Sequence, residues 1–167
     1  MSDKLNQVLQ KQKKQITDPT QVDREDEVIQ LVGFIIGQEE YAVPILDIKE
    51  IIKPLDYTRV PSVPDYILGV FNLRGTVIPL IDLRIKFNLP PTKPTDHTRF
   101  IIMKNEEDMA GFLIDSLTQA IRIKKNRIDA PPETLLKEKG GMIYGIGKRD
   151  NNILTILKVD SLLKREF

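Results

Sequence analysis

Asp47 and Glu50 stand three positions apart in 46-LDIKEIIKP-54, a spacing that brings two carboxylates onto one face of a helix and would let one act as general acid and the other as base. Asp82 with Asp115 is a second possible pair. Any charged helix satisfies the first geometry, and acid/base pairs of this kind need a metal or cofactor beside them to be convincing. The composition offers little to supply one. There is no cysteine, and the single histidine, His97, lies in the Pro-rich run 90-PPTKPTDHT-98. Thiolate nucleophiles and Cys/His zinc spacings are absent, and a multi-histidine metal site or a typical Ser/His triad has little to draw on. The run 140-GGMIYGIGK-148 lacks Walker spacing, and its glycines read better as a loop and a strand bulge. The residues point away from an enzyme, and no cofactor or metal is expected.

Glu50 and Arg74 present a different chemistry. Each sits among apolar neighbours, in IKEII and FNLRG, where a lone charge would be costly. A guanidinium fork matches a carboxylate, so the two could pair and lock the first helical turn, which carries Glu50, to the loop before the next strand. The alternative is that both face solvent independently. Gly75 is placed to turn the chain out of NLR into a strand at Thr76 through positive φ, and Gly69 to permit a close backbone approach.

The elements that must position these residues are mostly short strands. With 41% hydrophobic and 29% charged residues, the 167-residue chain falls within the globular range, as one folding unit. Twenty-five Lys and Arg against 24 Asp and Glu leave a net charge of +1, which provides no field for nucleic acid or anionic membranes. No apolar run is long enough to span a bilayer, and the N-terminus lacks a signal-peptide core. Residues 1–26 are polar and read as a flexible tail, although Leu5, Val8, Leu9 and Ile16 approach a helical stripe.

Strands are expected at VIQLVGFII and YAVPI around the turn 37-GQEE-40, at TVIPLI, TRFIIMKN and MAGFLID, and at MIYGIGK and ILTILKV. Helical turns are expected at 46-LDIKEIIKP-54, within 65-DYILGVFNLRG-75, and at DLRIKF. The two halves repeat one grammar. FII at 34–36 answers FII at 100–102, and PLIDL ending at Leu83 answers LKVDSLL ending at Leu163, each with an Asp able to cap a helix. Strands without long amphipathic helices between them argue for two small β-barrels sharing a core, with a single sandwich as the structural rival.

The run 57-YTRVPSVPDYILGVFNLRGTVIPLIDLRIKF-87, preceded by 41-YAVPILDIKEII-52, resembles the CheW-type chemotaxis coupling proteins. The matching elements are I-x-E-I around Glu50, R-V-P-x-x-P-x-Y-I-x-G-V from Arg59 to Val70, N-L-R-G from Asn72 to Gly75, and P-L-I-D-L-R from Pro79 to Arg84. GFLID at 111–115, the Pro131 region, YGIG at 144–147 and ILKVDSLL extend the likeness over about residues 28–163. The resemblance implies a mainly β fold of two intertwined five-stranded SH3-like barrels sharing a hydrophobic core, with short helices including one at the C-terminus. The two barrel subdomains would occupy approximately 27–95 and 96–167.

It further implies a non-catalytic cytoplasmic adaptor joining the cytoplasmic tips of chemoreceptors to the regulatory domain of the histidine kinase CheA, recruited to membrane-associated arrays and repeating into rings. A receptor helical hairpin would lie in an apolar groove between the barrels. Ile48, Glu50, Gly69, Val70, Leu73 and Arg74 are the groove candidates, with core filling the plain alternative for Ile48 and Val70. Asn72 and Gly75 are structural members of the motif. Tyr57, Thr58, Val60 and the 37–40 turn are the candidates for kinase contact. The chain ends soon after LLKREF with no receiver-type segment, which favours a stand-alone coupler over a piece of a larger switch protein.

Overall fold

The computed structural model describes residues 2–15, 27–149 and 151–164, with the side chains of 2, 10–15 and 149 outside the description. The fold is mainly β, as expected. Its strands are β1 (Val28–Ile36), β2 (Glu39–Pro44), β3 (Ile48–Ile52), β4 (Ile67–Leu73), β5 (Thr76–Asp82), β6 (Arg99–Lys104), β7 (Met109–Ile114), β8 (Ser116–Lys124), β9 (Ile143–Arg149) and β10 (Asn152–Leu157). Among the described residues four α-helices accompany them: α1 (Ser2–Gln15), α2 (Leu83–Lys86), α3 (Glu133–Lys139) and α4 (Val159–Leu163).

Two five-stranded sheets form, in the orders β8-β1-β2-β10-β9 and β3-β6-β7-β5-β4. Exchanging each strand for the one five places away in the chain turns the first order into the second. The repeat seen in the residues is therefore a repeat of topology, and FII of β1 and FII of β6 occupy equivalent strands. Even the parallel pairings, β2 with β10 and β7 with β5, correspond, as do two lone bridges, Thr58 with Val70 and Asp129 with Ile146.

The sheets do not divide the chain at residues 95 and 96. β3, β4 and β5 join β6 and β7, whereas β1 and β2 join β8, β9 and β10. Each sheet thus contains strands from both halves, and the connections between β2 and β3 and between β7 and β8 carry the chain across. Each sheet gives residues to a shared core and to a smaller cluster of its own. On β6, Ile101 enters the shared core while Phe100 and Ile102 enter the second sheet's own cluster with Phe71, Leu73, Ile78 and Leu80. Both faces of the strand are buried, which is why FII reads as a continuous apolar run without alternation.

Three local expectations are corrected. Segment 46–54 is a 3-10 turn at Ile45–Asp47 followed by β3, not a helix. The register against β6 slips between Ile48 and Glu50, so a bulge sends both Ile48 and Ile51 inward and imitates helical spacing. Segment 65–75 is mostly β4, in which Ile67, Gly69, Phe71 and Leu73 alternate inward. Residues 2–15 form α1, and its Leu9 is 2% exposed within the shared core, with Leu5 packed against it. That part of the expected tail is therefore docked, because its apolar stripe finds an apolar surface. Ile16 and the rest of the tail to residue 26 lie outside the described residues.

Of the two expected capping acids, Asp82 accepts from the backbone N–H of Arg84 at 2.9 Å and caps α2. Asp160 falls inside the first turn of α4, and its carboxylate accepts from Asn105 Nδ2 at 3.1 Å. α3 was not anticipated, although Pro131 and Pro132 directly before ETLLKEK are a helix-start signal.

Candidate protein-docking surface

β4 and β5 are joined at Leu73 and Thr76 by a two-residue turn, Arg74-Gly75. Both turn residues have positive φ, 48° for Arg74 and 89° for Gly75, the requirement of a hairpin turn that matches strand twist. Gly75 meets it freely, and its N–H is held by Asn72 Oδ1 at 2.9 Å. Arg74 does not, since a side chain in this region costs about 1–2 kcal/mol.

Arg74 Nη1 lies 2.5 Å from Glu50 Oε1, so the pairing alternative is the one realised. The Arg74 side chain remains 73% exposed and that of Glu50 only 13%. An ion pair with so exposed a partner contributes about 0.2–1 kcal/mol, no more than the turn strain it accompanies. Stability is thus a poor reason for an arginine here. Glu50 belongs to β3 and Arg74 to the β4 hairpin, the two terminal strands of one sheet. The pair draws those edges together at the sheet's rim.

Both edges are covered by short segments. On β4, Thr58 N–H donates to the Val70 carbonyl and Val70 N–H to the Thr58 carbonyl, each at 2.8 Å. Gly69 makes this possible, because a Cβ there would stand 2.1 Å from the Thr58 oxygen. On β3, Asn6 of α1 replaces a neighbouring strand: its Nδ2 donates to the Ile51 carbonyl and its Oδ1 accepts from Ile51 N–H, both at 3.0 Å.

The groove candidates are not gathered on one wall. Ile48 is fully buried in the shared core, Leu73 is buried in the separate cluster of the second sheet, and Gly69 is buried beneath Thr58. Val70 is half-buried on the outward face of β4, in register with Pro79, and Asn72 on the same face opposes the exposed Val77. Tyr57, Thr58 and Val60 are exposed along the loop bridged to Val70, joined by Leu55, which the residue pattern did not single out. Leu55, Tyr57, Val60 and Val77 give this side an apolar character of the kind found at interaction sites.

The carboxylates proposed for acid/base work are otherwise engaged. Asp82 caps α2, and burial raises its pKa above the ordinary carboxyl range. Asp115 accepts from Arg84 and from Gly37 N–H. Asp47 lies in the 3-10 turn and Glu50 on β3, so no helix face unites them. Among the described residues, no group of three or more His, Cys, Asp or Glu could hold a metal ion, and no helix is long and apolar enough to cross a membrane.

The CheW-like domain family matches residues 30–167, which contain the hairpin, both sheets except the first two residues of β1, and the covered edges other than α1. The chain belongs to that family. It is 51% identical over all 167 residues to the chemotaxis protein CheW of Helicobacter pylori, covering the whole of both chains. It is 37% identical over 136 residues to the chemotaxis protein CheW of Bacillus subtilis, covering 81% of this chain and 87% of the other. Among solved structures, the scaffolding protein TtCheW of Thermoanaerobacter tengcongensis superposes with a TM-score of 0.73 at 31% identity, over 79% of this chain and 90% of that one. The family predicted from the NLRG and PLIDLR motifs is the one found.

Proposed function

We propose that this protein is a non-catalytic adaptor of chemotaxis signalling that couples the cytoplasmic tips of chemoreceptors to the histidine kinase CheA. The observation that carries this reading is the Arg74 hairpin: a strained, exposed arginine held by Glu50 inside the family's own motif, beside a loop of exposed apolar residues. Strain retained where its ion pair offers no clear stability gain is characteristic of binding positions. The relatives named CheW and the scaffolding neighbour supply the pathway.

On this reading a receptor helix docks along the β3 side, where Glu50 and Arg74 set the rim. The kinase regulatory domain meets the loop carrying Tyr57, Thr58 and Val60. Repetition of the two contacts would build rings beneath the membrane, with the adaptor itself remaining in the cytoplasm.

Capture of a purified receptor-tip fragment and a purified CheA regulatory domain by the immobilised full chain tests the proposal. Both should be retained, separately and together. Retention of neither by folded protein would overturn it.

A further inference from the structure

α1 is an amphipathic helix lying on an apolar face of its own chain. It rests against the 45–47 turn and β3, with Leu9 buried among shared-core residues that include Ile48 and Ile51, and with Leu5 packed beside it. Between these two leucines Asn6 reaches the outer edge of β3 and satisfies both backbone groups of Ile51. The face therefore reads a helix by three features: two apolar side chains one turn apart and an amide that matches a strand edge.

The hold is light. A 14-residue helix is marginal by itself in water, and among its described side chains only Leu9 is fully buried. Asp3, Lys4 and Gln7 face solvent. α1 is joined to β1 through residues 16–26, a polar stretch containing Pro19. Docking through such a short connection benefits from high effective concentration, and would disappear as an advantage once a partner helix with more anchors arrived.

We infer that α1 is a displaceable occupant of a helix-docking face, and that a receptor-tip helix competes with it for the Ile51 edge. The competing helix carries the same recognition chemistry as Leu5-Asn6-x-x-Leu9: apolar side chains at positions i and i+4 with an amide side chain between them. This inference rests on the adaptor reading, since it names the receptor as the competitor. Its physical content is that apparent receptor affinity is lowered by the fraction of time α1 is docked, about tenfold if α1 is docked for nine-tenths of the time.

The test uses the full chain and a purified receptor-tip helical hairpin, read by hydrogen exchange and by binding titration. Fragment binding should speed exchange of the α1 amides over residues 2–9. Asn6→Ala and Leu9→Ala, which weaken α1 docking by different means, should each bind the fragment several-fold more tightly than the parent. Binding that leaves α1 exchange unchanged, with affinities equal across the three chains, overturns the competition while leaving the adaptor reading intact. Failure of the fragment to bind any of the three overturns both. Should Leu9→Ala prove unfolded, Asn6→Ala removes only edge hydrogen bonds and decides the question alone.

Discussion

Arg84 and Asp115 fasten the two sheets to each other. Arg84 Nη1 lies 2.5 Å from Asp115 Oδ2, and the same oxygen accepts from Gly37 N–H at 2.8 Å. Arg84 follows β5 of one sheet, Gly37 lies in the β1–β2 turn of the other, and Asp115 stands where the chain crosses between them, from β7 to β8. A single carboxylate thus ties three points of the interlaced topology.

Replacing Asp115 with Ala should therefore do more than remove one ion pair. The side chains of the pair are only 18% and 24% exposed, so Arg84 and Gly37 N–H both lose an acceptor in a partly desolvated place. A loss of about 2–3 kcal/mol is expected, as for hydrogen bonds to a charged group at such a site. Urea denaturation measures it, and the double variant with Arg84→Ala should cost much less than the sum of the singles. Additive losses would mean that the two residues act separately.

Asp82 gives a pH dependence whose sign follows from burial. Desolvation raises its pKa, opposed by the N–H groups of Arg84 and Ile85, with Asp115 pushing up and the Arg84 charge pulling down. The folded chain consequently keeps this proton to higher pH than the unfolded chain. The penalty for its charge is absent below the ordinary carboxyl pKa, grows as pH rises towards the raised value, and is complete above it. Asp82→Asn keeps an oxygen for the α2 cap and carries no charge. Its stability relative to the parent should improve as pH rises through that window and then level off, in denaturation series from about pH 3 to pH 8. A constant difference would show that burial imposes no such penalty.

The residues announced the strands more clearly than their partners. β1 and β6 are legible because runs rich in apolar and β-branched residues, VIQLVGFII and FIIM, end at turns. The exchange of strands between halves was not, since pairing is decided by how both faces of FII are filled, a matter of three-dimensional packing. β3 misled because a bulge near Lys49 breaks period-two alternation and leaves inward apolar residues three apart, whereas β4 keeps its alternation but carries apolar Leu68 and Val70 on the other face, which blurs it. At the docking surface, the Glu50–Arg74 contact was available from charge and context as one of two alternatives. The edge coverings were invisible, because neither Asn6 nor Thr58 belongs to a pattern that names a distant backbone partner.

Arg74 separates stability from assembly. Arg74→Gly relieves a left-handed conformation worth about 1 kcal/mol or more and removes an ion pair worth about 0.2–1 kcal/mol. Its melting temperature should stay close to the parent's, whereas Arg74→Glu, which sets like charge beside Glu50, should be the less stable of the two. On the proposed adaptor function, both should weaken the ternary assembly with receptor tip and kinase. Full kinase control by folded Arg74→Gly would show that the guanidinium is dispensable.

Gly69→Ala tests whether the loop bearing Tyr57, Thr58 and Val60 is held by backbone alone. The added carbon would meet the Thr58 oxygen at 2.1 Å, its carbonyl carbon at 2.7 Å and the Arg59 Cα at 3.1 Å. These are main-chain atoms, which cannot rotate aside, so the loop must leave β4 or the strand must shift. Overpacking of this kind costs about 1–3 kcal/mol. Amide exchange of Thr58 and Val70, protected in the parent by their mutual hydrogen bonds, should become fast, while Ile101 in the paired interior of β6 stays protected. Freeing the β4 edge also exposes a template for strand addition, so the variant should self-associate with rising concentration in sedimentation. Slow exchange at Thr58 and Val70 in a monomeric variant would mean that the bridge tolerates a side chain, and that Gly69 is not what keeps the loop in place.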